Sequence, residues 1–104
     1  MFCAFNGNPR ICRLYGTATV HEVGTEGYAA LVSHFPELPG ARAVLEIDVT
    51  RVSTSCGYAV PLMDLVSDRD RLVKWAEAKG HEGLIAYRGS KNAASLDGMR
   101  GFGS

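Results

Sequence analysis

Apolar and polar residues alternate with a period of two over residues 10–21, and the pattern predicts a strand. Cys12, Leu14, Ala18 and Val20 share one face, while Ile11, Arg13, Tyr15, Thr17 and Thr19 share the other. A shorter strand over residues 1–5 precedes it across Asn6-Gly7-Asn8-Pro9, a cluster of turn formers. A loop with an even number of residues places Phe5 opposite Arg10, Ala4 opposite Ile11 and Cys3 opposite Cys12. The mixed face of the second strand suits solvent, a partner subunit or a ligand.

The period then changes. Tyr28, Leu31, Val32 and Phe35 fall on one face of a short helix, with Thr25 as its N-cap and Pro36 and Pro39-Gly40 as stop and turn. Alternation returns from Arg42 to about Thr54, with Ala43, Leu45, Ile47 and Val49 expected inward and Glu46, Asp48 and Thr50 outward. Arg51 breaks the inward set, so the strand end reaches a barrel mouth or a bulge re-aims its side chains. Ser67-Asp68-Arg69-Asp70 resembles a capping box opening a helix with Leu72, Val73, Trp75 and Ala76, closed by Gly80. A second helix follows over residues 82–92, carrying Leu84, Ile85 and Tyr87. Residues 93–104 are glycine-rich and expected to form a loose tail. The order of elements gives a single domain over residues 1–104, mainly β with helices (α+β).

Composition narrows the function classes. The chain has 104 residues, of which 46% are hydrophobic and 21% charged, and a formal net charge of zero. That balance argues for a globular domain and against a strongly cationic nucleic-acid binder. No apolar run approaches the ~20 residues that a membrane span needs. The first residues lack a basic n-region, and the three cysteines are odd in number, so a cytoplasmic protein with free thiols is expected.

The chemistry-bearing residues are scattered. The cysteines have no C-x-x-C or Cys/His spacing, so no metal site is expected. Cys3 and Cys12 read first as packing residues and second as a thiol redox pair. No base stands beside Cys56 in sequence to activate it. His21, His34 and His81 form no triad-like grouping. Arg13 shares a face with Tyr15 and Thr17, a mixture that suits a phosphorylated planar cofactor as well as a solvated strand, and the solvated strand is favoured on the residues alone. No G-x-G-x-x-G or Walker loop is present.

Read in order, several segments resemble the pyridoxamine 5'-phosphate oxidase-like family of FMN-binding split barrels. They are Met1-Phe2-Cys3-Ala4-Phe5, Pro9-Arg10-Ile11-Cys12-Arg13-Leu14-Tyr15-Gly16, and Phe35-Pro36-Glu37-Leu38-Pro39-Gly40-Ala41-Arg42. Thr54-Ser55-Cys56-Gly57-Tyr58-Ala59-Val60-Pro61-Leu62-Met63 and Lys91-Asn92 with Ser95-Leu96-Asp97-Gly98 complete the set. The resemblance implies a partial antiparallel split β-barrel with carboxy-terminal helices, a homodimer or higher self-association, and FMN held in a groove between subunits. It also implies that the early strands gripping the phosphate would precede Met1, so a shortened chain is expected.

Two departures bear on activity. Ile11 stands where the oxidases bring a Gln toward the flavin, with Arg13 as the candidate substitute. The carboxy-terminal Trp and Arg motif of the true oxidases is not recognisable. The resemblance therefore implies an FMN-binding, flavin-dependent oxidoreductase of unidentified substrate, not a pyridoxamine phosphate oxidase. Enzyme activity is expected only if a cofactor site is retained. Its candidate cofactor contacts are Arg10, Arg13, Arg51, Cys56 and Tyr58, with no catalytic residue assigned. No nucleic-acid or membrane partner is expected. The alternative is a non-catalytic self-association or protein-interaction module.

Overall fold

The computed structural model describes residues 1–102. Strand β1 (Phe2–Cys3) and strand β2 (Arg10–Glu22) lead to helix α1 (Glu26–Leu31), which runs into a 3-10 turn over Val32–His34. Strand β3 (Ala43–Cys56) and helix α2 (Arg71–Lys91) follow. The strands form one open antiparallel sheet in the order β1-β2-β3, so the fold is α+β with a partial barrel. By its contacts the chain divides into two compact units, Met1–Thr19 with Glu46–Asp68, and Val20–Leu45 with the residues from Arg69 onward. No helix among the described residues is long and apolar enough to cross a membrane.

In the first unit the hairpin corrects the expected register by one residue. Phe2 pairs with Cys12 and Cys3 with Ile11, and the Ala4 amide donates to the Arg10 carbonyl at 2.9 Å. The loop is thus Phe5–Pro9, an odd number of residues, with Gly7 at φ 65°. Pro9 has no N–H for a ladder bond, so it sits in the loop and uses only its carbonyl. Directly opposed residues share a face, so the slip puts Cys3 and Cys12 on opposite faces and removes the cross-strand thiol pair.

The row expected inward on β3 also needs correction. Leu45, Ile47 and Val49 are all exposed, so the alternation places them on one face without burying it. Ala76 is the one apolar side chain buried among the described residues.

The second unit is built around the Pro39-Gly40 turn. Thr25 caps α1, its hydroxyl accepting from the Tyr28 amide at 3.2 Å. Helix α2 is two helices joined at Gly80, whose φ of 64° and ψ of 175° lie outside the helical region. The Ser67 capping box does not form: the N-cap is Asp70, whose carboxylate makes no cap bond and pairs with Lys74 at 2.5 Å. Trp75 and Tyr87 meet edge to face across the kink, with ring centroids 4.9 Å apart. Arg88 Nη2 donates to the Gly40 carbonyl at 2.8 Å, and a Cβ on Gly40 would lie 3.3 Å from the Ala76 methyl.

Gly40 has φ 83°, which an L side chain adopts only with strain. Gly40→Ala is therefore expected to lower stability by about 1–3 kcal/mol, read as a fall in the denaturation midpoint. An unchanged midpoint would show that the turn does not anchor α2.

Candidate functional site

The candidate site begins with a backbone contact. Gly57 follows the last residue of β3, and its amide donates to the Pro9 carbonyl at 3.2 Å. Gly57 is buried, and a Cβ there would stand 2.7 Å from the Arg10 nitrogen. Only glycine lets the end of β3 press so closely on the β1–β2 loop. Two further bonds fix the turn, from the Val60 amide to the Gly57 carbonyl at 2.8 Å and from the Met63 amide to the Phe5 carbonyl at 2.8 Å.

This contact opens a cleft of about 450 Å³ at the hairpin end, lined by Asn8, Pro9, Arg10, Thr54, Ser55, Cys56 and Tyr58. A second cavity of about 470 Å³ is more apolar, with Cys3, Phe5, Ile11 and Val60 in its walls. Cys56 and Tyr58 border both cavities. Tyr58 is 85% exposed, so its ring is open to a flat ligand.

The five residues singled out from sequence separate into two groups. Arg10, Cys56 and Tyr58 line the cleft together. Arg13 and Arg51 do not line it. Arg13 Nη1 donates to the Ser55 hydroxyl at 2.8 Å, which ties it to a cleft residue. Arg51 lies over the Tyr15 ring, its Cζ 3.9 Å from the centroid, a cation–π contact. The Thr50 hydroxyl donates to the Tyr15 carbonyl at 3.4 Å beside it.

Sequence reasoning did not single out Asn8, Thr54 or Ser55. The signal was present in the polar run Ser53-Thr54-Ser55 beside Cys56. It gained meaning only when the Gly57 contact brought the hairpin loop against it.

Chemically the cleft offers one guanidinium, two aliphatic hydroxyls, one phenol and an amide side chain, all able to donate to an oxyanion. The Arg10 side chain makes no ion pair among the described residues. No cluster of three or more His, Cys, Asp or Glu among the described residues can hold a metal ion.

An open α+β sheet with an oxyanion-type cleft at one strand end defines only a broad class. No family model matches the chain, and no solved structure gives a significant match. A curated relative does: the pyridoxamine 5'-phosphate oxidase family protein ustO of Aspergillus flavus, 40% identical over 119 residues. The alignment covers 100% of this chain and 48% of the relative. The chain belongs to the pyridoxamine 5'-phosphate oxidase family, and it spans about half the length of the curated relative it matches.

The turn makes a testable contrast. Gly57→Ala is expected to cost about 1–3 kcal/mol in chemical denaturation, since the loop must retreat from the new methyl. Tyr58→Ala, at an open position, should stay within about 0.5 kcal/mol of the parent. Equal effects of the two would mean that the close approach does not hold the turn.

Proposed function

We propose that the chain binds FMN and serves in a flavin-dependent oxidoreductase whose substrate is unidentified. The observation that carries this reading is the cleft itself, which Arg10, in no ion pair among the described residues, lines together with Thr54, Ser55 and the open Tyr58 ring. The donor set fits the flavin phosphate: guanidinium and hydroxyl groups donate to its oxygens, and a phenol ring offers a stacking face. The family likeness supports the same reading, since proteins of this family commonly bind a flavin. When bound, the flavin supplies the electron chemistry, and the chain supplies binding, orientation and electrostatics. Arg10 would hold the phosphate with Thr54 and Ser55. Arg13, braced on Ser55, and Arg51, seated on Tyr15, would add positive charge along the same strands. Cys56 would line the groove as a small wall residue. A cytoplasmic setting fits the three free thiols.

Self-association belongs to this proposal and also carries a second reading, a non-catalytic interaction module. The observation behind both is exposed apolar surface within the first unit: Ile47, Val49 and Val52 on β3, and Leu62, Leu65 and Val66 after it. Soluble monomers rarely leave so much apolar surface uncovered, and a homodimer or higher assembly would bury it.

Titration of FMN with the purified protein tests the flavin reading. Quenching of flavin fluorescence with low-micromolar affinity is expected, and Arg10→Ala should weaken it about tenfold through loss of a charged hydrogen bond. A flat titration would sink the flavoprotein reading and leave the interaction module. Light scattering at micromolar concentration is expected to give at least twice the 11.2 kDa chain mass. A monodisperse species of one chain mass contradicts self-association.

A further inference from the structure

A second cationic pocket lies in the other unit, apart from every residue assigned above to FMN. Its volume is about 370 Å³, and Arg42, Lys91 and Arg100 line it together with Asn92, Ser95 and Phe102. No carboxylate lines it among the described residues. We propose that this pocket binds a phosphate-type oxyanion, either inorganic phosphate or the head of a phosphate monoester.

Three separate pieces of chain bring the cations together. Lys91 ends α2, with Asn92 as its C-cap. The chain then folds back through a turn in which the Ser95 amide donates to the Met99 carbonyl at 2.8 Å and the Met99 amide to the Ser95 hydroxyl at 3.1 Å. A bridge between Ala94 and Arg100 and a 3.0 Å bond from the Gly101 amide to the Ala93 carbonyl return Arg100 toward the helix end. Arg42, just before β3, is held in place by Phe102: its Nη2 lies 3.5 Å from the Phe102 carbonyl and its Cζ 5.5 Å from the ring centroid.

The polar accounting points to an anion. Arg42 Nε is withdrawn from solvent and has no hydrogen-bond partner among the described residues. A charged donor group left partly desolvated is destabilising, and an anion paired with the same guanidinium would offset that cost. Lys91 and Arg100 make no ion pair among the described residues.

The plainer explanation is that basic residues in the last turn of a helix complement its dipole. That dipole amounts to roughly half a charge and acts within one turn. It accounts for Lys91. It does not account for Arg42 and Arg100, which come from other segments. Arginine's planar fork matches a phosphate with paired hydrogen bonds, and two forks with one ammonium favour a dianion over a carboxylate.

Backbone amide NMR titration of the full chain with inorganic phosphate and, separately, phenyl phosphate tests the assignment at matched ionic strength. Saturable shifts confined to the amides around Arg42 and of residues 91–102 are expected. The double variant Lys91→Ala, Arg100→Ala should weaken binding about tenfold or more while its remaining spectrum is retained. Tighter binding of phenyl phosphate identifies a monoester as the ligand, and equal binding identifies free phosphate. Linear, unsaturable shifts, or the same affinity in the double variant, would overturn the proposal. Arg10→Ala, which is expected to weaken the FMN titration, should leave the inorganic phosphate shifts unchanged, because Arg10 does not line this pocket, so the two readings fail separately.

Discussion

The bond from the Gly57 amide to the Pro9 carbonyl governs the candidate flavin site. Proline cannot donate from its backbone, so its carbonyl is the one main-chain group it can offer. The glycine removes the side chain that would keep the two backbones apart. The residues on either side of this meeting point, Arg10 on one segment and Cys56 and Tyr58 on the other, are then neighbours whatever their own chemistry. The Cys-Gly-Tyr turn is thus a backbone device first. Its flanking side chains owe their positions to the glycine between them.

Local features were legible in the sequence where a short-range rule decides them. Thr25 caps its helix through a hydroxyl three residues from its partner, and Gly80 ends the first half of α2 with a positive φ. Strands β2 and β3 followed from alternation, and β1 from the turn cluster that separates it from β2. The hairpin register did not, because the run Asn6-Gly7-Asn8-Pro9 admits loops of even or odd length, and one residue reverses both faces. The Ser67 capping box failed for a related reason. The helix starts only at Arg71, so Asp70 is its N-cap rather than the last residue of the box, and its carboxylate pairs with Lys74.

The arginines show what a sequence leaves unstated. Arg13 is braced by a hydroxyl, Arg51 by a ring, and Arg10 by neither among the described residues. All three carry the same charge in the sequence, yet their side chains differ in how much freedom they would give up on meeting an anion. A side chain already held in place has less rotamer entropy to lose, while an unengaged one has its full hydrogen-bonding capacity available. Which arginine plays which part depends on pairings between residues more than thirty positions apart, and periodicity carries no information at that range. The same limit applied to Leu45, Ile47 and Val49. Their spacing showed that they share a face, but it could not show whether anything covers it.

The break at Gly80 has a consequence for how the second unit assembles. It divides α2 into segments of roughly two to three turns, each shorter than the ~12–15 residues that an isolated helix needs to persist in water. Neither half is expected to hold its helicity alone, so each becomes the scaffold of the other through the Trp75–Tyr87 ring contact. That contact joins residues close in sequence, so closing it needs only a short loop and little chain entropy. The helical hairpin is thus suited to form early in folding, ahead of the pairing between β2 and β3, whose partners are far apart along the chain.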